Sequence, residues 1–423
     1  MILIFYLWIG LACILMLLKP KWGVALGIPY MVIVPFLNLN IFNYAFLLIL
    51  LFNYKFRKRR INWRPFMPFV FFYLAFLFIM PFQSDTPLSW ELNFWRGGVI
   101  GCLTIPVFIS MEVEHDPMSI KLFRNSILFS IIVACVYGLC LTQWDGINPY
   151  LFLMASLSGD GDVTTILRYS EDAGGARLFG RIYSCFEHPM LFAIFLGFSF
   201  IYLFCSRKKM AWYLFFPIIL IVVLNMVLCG VRSVIGGMIV AIVYYLLFSG
   251  KLKLAIIIGL FLFFGWMLID FMPDVKVYLG SIGDISGESE VGGSSLNMRL
   301  EQLDGCFREI NDSWLLGKGY EWNKYYLNIK GDHPILLAFE SLIFVVLCNG
   351  GLVGLGIWGV FVLLVLRTNK RMMGRDRVLY DSLLFFYISY CCITGEYGYM
   401  KLYALFYTLM ICENYHIVKA RNA

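Results

Sequence analysis

Long apolar runs recur from one end of this chain to the other, and polar stretches divide them. A helix rising 1.5 Å per residue needs about 20 predominantly apolar residues to cross a hydrocarbon core of roughly 30 Å. Runs near that length lie at 66–82, 98–111, 126–144, 189–205, 211–229, 234–248, 254–272, 351–366, 379–395 and 400–416. Residues 1–18 add another; they have no basic start and no small-residue cleavage site, so they read as a retained membrane helix. Residues 23–54 hold one broken span or two short ones, because Pro35, Asn38 and Asn40 interrupt the run. The pattern predicts an all-α fold: a polytopic transmembrane helical bundle of about 11–13 spans, one integral membrane domain covering residues 1–423.

Basic clusters fix the sides, since Lys and Arg near span ends resist translocation. The clusters at 55–60, 207–209, 251–253, 367–377 and 419–421 alternate with the apolar runs so that all five fall on the cytoplasmic side. Two large outer (periplasmic) loops then remain, 145–187 and 273–333, the second carrying short helices; loops of that length are commonly functional. Residues 334–349 do not fit as a full crossing and read as a short helix at the outer face. No internal repeat is visible, which argues against an inverted-repeat transporter.

Composition narrows the class. The chain is 61% hydrophobic and 14% charged, with a mean hydropathy of +0.78, and its apolar content exceeds the roughly 45–50% of soluble domains. Its formal charge of +7 is modest for 423 residues and clustered, so nucleic-acid binding is not indicated. Most of the twelve cysteines sit in apolar runs, where a thiol behaves as a small hydrophobe; Cys185 and Cys306 fall in the long loops and are the pair to consider for a bridge. His115, His188, His333 and His416 show no metal-ligand spacing. The Gly317-Lys318 run lacks the upstream glycine and the following Ser or Thr of a phosphate-binding loop. No metal, cofactor or ATP motor is expected.

Arginine on the outer side is notable under the positive-inside bias, and five gather there: Arg177, Arg181, Arg232, Arg299 and Arg308. A guanidinium's planar fork of donors suits phosphate, so several at one membrane face can hold a diphosphate headgroup. The competing reading pairs them with Asp160, Asp162, Glu171, Asp172 and Glu301, or lets them snorkel to lipid phosphates. His333, in Gly331-Asp332-His333-Pro334, ends the second loop; an imidazole there can position a sugar hydroxyl or take its proton, although a lone loop histidine is more often structural. Glu187-His188-Pro189 places a second acid and imidazole at the mouth of a span, where helix capping competes with function.

Four runs resemble the pattern of the bacterial O-antigen polymerase and O-antigen ligase superfamily, polytopic membrane glycosyltransferases acting on polyprenyl-diphosphate-linked glycans. The first is Arg177-Leu178-Phe179-Gly180-Arg181 with His188-Pro189, and the second is Leu228-Cys229-Gly230-Val231-Arg232-Ser233. The third is Asn297-Met298-Arg299 with Leu315-Leu316-Gly317-Lys318-Gly319. The fourth is Asp332-His333-Pro334 with Glu340 and Gly350-Gly351-Leu352-Val353-Gly354. Met190, Val231 and Pro334 depart from the family's usual Asn, Ser and Asn, and the gap from His333 to the glycines is longer than the family's. The resemblance covers roughly residues 177–366. It implies a metal-independent glycosyltransferase in which Arg177, Arg181, Arg232 and Arg299 bind the diphosphate and stabilise its departing charge. Arg299 and His333 are the implied catalytic residues, His333 serving the acceptor hydroxyl, with Glu187, His188 and Glu340 as weaker candidates.

The expected function is polymerisation of undecaprenyl-diphosphate-linked repeat units into O-antigen or capsule at the outer face of the inner membrane. Expected partners are the lipid-linked glycan donor, a glycan acceptor, membrane lipid, and a flippase and chain-length regulator of the same pathway. Ligation of the glycan to lipid A core or another acceptor is the alternative within the family. A lipid-linked sugar transporter or flippase is the alternative outside it, disfavoured because the spans from 189 to 272 carry few charges besides Arg232 and Asp270.

Overall fold

Inside a bilayer no water takes up backbone hydrogen bonds, so an apolar chain satisfies them within helices. The computed structural model describes residues 2–33, 40–142, 148–150, 182–250, 296–415 and 419, and among these the chain forms fourteen α-helices and no β-strand. In chain order they are α1 (Ile2–Leu18), α2 (Pro20–Ile33), α3 (Asn40–Phe56), α4 (Met67–Ile79), α5 (Leu88–His115), α6 (Ser119–Leu141) and α7 (Pro189–Ser206). There follow α8 (Trp212–Leu228), α9 (Arg232–Phe248), α10 (Leu296–Glu309), α11 (Trp322–Lys330), α12 (Leu342–Met373), α13 (Val378–Thr394) and α14 (Met400–Glu413).

Among the described residues, five helical stretches are long and apolar enough to cross a membrane: Arg64–Phe82 around α4, α5, α6, Pro189–Lys209 around α7, and α12. Within α1, and in α8, α9 and α13, shorter apolar helices accompany them. Residues 23–54 resolve into two helices, α2 and α3, on either side of the Pro35 interruption. The predicted span at 254–272 lies outside the described residues, as do most of the first outer loop and the first part of the second. Helix α5 begins at Leu88, earlier than the apolar run, because the polar Glu91 that breaks the run is fully buried and accepts the Tyr320 backbone N–H at 2.7 Å. The 334–349 segment divides: a turn closed by reciprocal His333–Leu337 backbone bonds leads to Leu342, and residues 342–350 are already the first part of α12.

The bundle core is unusually aromatic. Tyr387, Tyr403 and Tyr407 stack at 4.8 and 5.7 Å between ring centroids, all fully buried. At Gly197 of α7 an added Cβ would lie 1.9 Å from the Phe386 ring, so only glycine admits α13 this closely. A second, smaller core joins α10, α11 and the first part of α12 through Cys306, Trp322, Phe339 and Phe344. One end of the bundle is closed by ion pairs, two of them from the predicted cytoplasmic clusters at 55–60 and 207–209. Arg59 meets Glu112, while Arg124 and Lys209 meet Glu413 at 3.2 and 3.3 Å. The bridge considered from Cys185 to Cys306 is not formed, because Cys185 is buried in the main core and Cys306 in the smaller one.

Helix α12 is broken at Gly351, where φ is 58° and ψ −150°. A break exposes the carbonyls that end one helix and the amides that begin the next, and buried groups of this kind need partners. The segment 314–319 supplies them. The Lys318 and Gly319 N–H groups donate to the Cys348 and Asn349 carbonyls (2.8 and 3.2 Å), and the Leu352 and Val353 N–H groups donate to the Trp314 and Leu315 carbonyls (3.0 Å each). The Gln83 amide donates to both sides of the joint, to the Asn349 carbonyl at 2.8 Å and to the Leu316 carbonyl. Gly351→Ala forces a side chain into a left-handed conformation and sets its Cβ 2.6 Å from the Leu315 backbone. It should cost on the order of 2–4 kcal/mol of stability in detergent denaturation. Gly356→Ala, where nothing lies within 4 Å of the added methyl, should cost nothing measurable.

Candidate functional site

Of the arginines expected to bind diphosphate, Arg177 and Arg181 lie outside the described residues, and Arg232 opens α9, half-buried. Arg299 on α10 is a framework residue by its contacts. Its Nη1 donates to Gln302 Oε1 (3.2 Å) and to the Glu340 carbonyl, and its Nη2 donates to Glu340 Oε2 (3.3 Å) and to the Ile393 carbonyl (3.1 Å). One guanidinium thus ties α10 to the turn before α12 and to the end of α13. Burial pulls the Arg299 pKa down, and the Glu340 carboxylate works against that shift.

His333 is 5% exposed, with its ring against Tyr326 and Phe339. Its Nδ1 accepts the backbone N–H groups of Ile335 and Leu336 at 3.2 and 3.0 Å, which places the proton of the neutral ring on Nε2. Nε2 faces Glu309 Oε2 at 3.5 Å. The turn thus engages Nδ1, and Nε2 is the ring nitrogen that faces Glu309. His188 caps α7, its Nδ1 accepting the Met190 N–H at 3.1 Å with Pro189 next in the chain. Glu187 still reaches water, but the surrounding protein raises its carboxyl pKa and the Lys401 ammonium pulls it back.

Arg232, Arg299, His333, His188 and Glu187 do not line the cavity that the described residues build between several of the helices. A cavity of about 330 Å³ lies between α3, α4, α5, α11, α12 and the turn from α13 to α14. Three cations line it, Arg96, Lys324 and Lys401, with two carboxylates, Glu321 and Glu396, for a formal balance of 3 − 2 = +1. Both carboxylates are engaged. Glu321 pairs with Lys324 at 2.8 Å. Glu396 accepts the Tyr387 hydroxyl at 3.1 Å and the Gly398 and Met400 N–H groups at 2.8 Å each, tying down the start of α14. Burial raises the Glu396 carboxyl pKa, and Lys324 draws it back. For Lys324, burial lowers the pKa but the Glu321 carboxylate more than offsets it, so the ammonium stays charged.

Arg96 donates to Asn93 Oδ1 at 2.8 Å and lies over the Tyr44 ring. Lys401 has no ion pair or hydrogen bond among the described residues. Its stem runs along Gly101 of α5, with Cδ 3.0 Å from where a Cβ there would stand, so the absent side chain makes room for the lysine. The outer arginines drew attention because they break the positive-inside bias. Lys401 carried a different signal, an ionisable residue at the head of the apolar run 400–416, which in a membrane span points to function.

The cavity and the α12 joint share their walls. Tyr320, Glu321 and Lys324 come directly after the docking segment 314–319, and Asn349 reaches the cavity from the first part of α12. Asn349 and Asn323 hold each other, Asn349 Nδ2 donating to Asn323 Oδ1 at 2.9 Å and the Asn323 N–H to Asn349 Oδ1 at 3.0 Å. If Arg299 serves the frame, Arg299→Ala should lower stability by about 1–3 kcal/mol in thermal melts. Arg299→Lys should recover only part, since an ammonium cannot fork between Glu340 and Ile393. Loss of activity at an unchanged melting temperature would instead place Arg299 on the substrate.

Residues 217–359, from within α8 to within α12, match the family model described as O-antigen ligase. No curated protein matches the chain. The family match supports the O-antigen polymerase and ligase superfamily, and with the five long apolar helices it points to a membrane protein. The matched segment contains the α12 joint, Arg232, Arg299 and His333, and the Glu321 and Lys324 wall of the cavity.

Proposed function

We propose that this protein is a membrane glycosyltransferase that joins undecaprenyl-diphosphate-linked repeat units into O-antigen or capsule polysaccharide at the outer face of the inner membrane. The observation that carries the reading is the cationic cavity beside the family-matched segment, in which Lys401 has no ion pair among the described residues. In the reaction an acceptor hydroxyl attacks the anomeric carbon of the donor sugar, the bond from that carbon to the diphosphate oxygen breaks, the hydroxyl proton passes to water, and undecaprenyl diphosphate departs. Charge accumulates on the leaving diphosphate, and fixed cations in a confined site stabilise it. Lys401, Arg96 and Lys324 take this task in the cavity, with Arg177, Arg181 and Arg232 as the further diphosphate contacts that the resemblance implies. Side chains meet the charge in this reading, and the diphosphate is leaving group enough without nucleotide or ATP. Arg299 and His333 act through the frame that holds α10, α11 and the α12 joint together.

The description of the matched family favours a second reading, ligation of the finished glycan to lipid A core or another acceptor. The two separate in one reconstituted assay, with the purified protein, its lipid-diphosphate-linked repeat unit and no ATP. A ladder of lengthened lipid-linked chains is the expected result. Transfer only after lipid A core is added would mean a ligase, and no transfer under either condition would remove the glycosyltransferase reading in favour of transport. Lys401→Met should lower the rate by roughly 100-fold or more at an unchanged melting temperature, and Lys401→Arg should keep a substantial part of it.

A further inference from the structure

Cys306, near the end of α10, and Cys348, in the first part of α12, are both fully buried in the smaller core, and their Sγ atoms stand 3.7 Å apart. We infer that these two residues form a disulfide in the mature protein. A disulfide brings its sulfurs to about 2.05 Å, so closing this pair takes a movement of roughly 1.7 Å, within reach of side-chain rotation and a small helix shift. The two are 42 positions apart, and the chain between them contains the docking segment 314–319, α11 and the His333 turn.

Compartment decides whether such a bond persists. Arg367, Lys370 and Arg371 occupy the last turns of α12, and Cys348 lies on the opposite side of its Gly351 break. With the basic end cytoplasmic, Cys348 and α10 face the outside, where disulfides form and last. The inference rests on the sidedness of the proposed function and not on its chemistry. In forming the bond, two thiols lose two protons and two electrons. The electrons pass to a disulfide of a thiol-oxidising protein outside the membrane, through a mixed disulfide with one of the pair. The exchange takes place while the outer segment folds, before burial closes access to the sulfurs.

The bond would staple α10 to the same stretch of α12 that the docking segment holds. The Cys348 carbonyl is itself the acceptor of the Lys318 N–H. Cross-linking a long loop restricts the unfolded chain most, so the effect falls on stability.

The test traps thiols in intact cells by lysis in denaturant with N-ethylmaleimide, followed by digestion of the full-length protein and mass spectrometry. The expected result is a peptide pair linked through Cys306 and Cys348, lost on reduction. The melting temperature of the purified protein should then fall by roughly 5 °C in reductant, and Cys306→Ser should melt at the reduced value with or without it. Maleimide on both residues in the unreduced sample overturns the inference. Survival of the disulfide in a protein that transfers no glycan would leave this inference standing while the proposed function fell.

Discussion

The arrangement depends on the exchange of main-chain hydrogen bonds at the break in α12. A helix that stops inside a protein leaves amides and carbonyls without partners, and each buried one left so costs about 1–3 kcal/mol. Here the Leu-Leu-Gly-Lys-Gly segment, with Trp314 before it, answers both ends of the break at once, giving two N–H groups and taking two. Glycine is required on both sides. A Cβ at Gly317 would come within 2.6 Å of the Gly350 and Gly351 nitrogens, and one at Gly351 within 2.6 Å of the Leu315 backbone. Docking of this segment sets the next residues, Tyr320 to Lys324, into the cavity wall; Glu91 of α5 accepts the Tyr320 N–H, and the Thr86 hydroxyl donates to the Lys318 carbonyl.

Charge is distributed around that joint with a clear asymmetry. At the end of the bundle where Arg59, Arg124 and Lys209 lie, Arg59 pairs with Glu112, and Arg124 and Lys209 share Glu413. Beside the joint, Lys318 sits 3.0 Å from Asp85, 3.5 Å from Asp312 and 3.8 Å from Glu309. Burial lowers the Lys318 pKa, but the bond to Asp85 and the surrounding carboxylates raise it further, which keeps the lysine a fixed structural cation. In the cavity Glu321 pairs with Lys324 and Glu396 is bonded to the start of α14, while Lys401 has no ion pair among the described residues.

The motif residues of the family resemblance divide by the same logic. The glycines at 317, 350 and 351 and the Leu315 carbonyl have a backbone task that their contacts make explicit. Arg299 and His333, singled out for chemistry, spend their hydrogen-bonding capacity on the frame: four contacts from one guanidinium, and a turn closed on one imidazole nitrogen. A side chain conspicuous in a motif can be there because it holds the elements that carry the site.

The sequence by itself determined the helical, membrane-inserted character of the chain and the approximate place of most helices. Both follow from local hydropathy and from the need of each backbone group for an internal partner. It also pointed to the two glycine runs and to the arginine and histidine of the third and fourth motifs. It did not reveal that the two glycine runs meet, that α5 starts at Leu88 around a buried Glu91, or that Cys306 neighbours Cys348 and not Cys185. Nor did it identify Lys401, whose seat exists because Gly101, 300 positions earlier in the chain, lacks a side chain. Those features were decided by tertiary structure alone, because each is a contact between residues far apart in sequence, and hydropathy and motif spacing report only on neighbours along the chain.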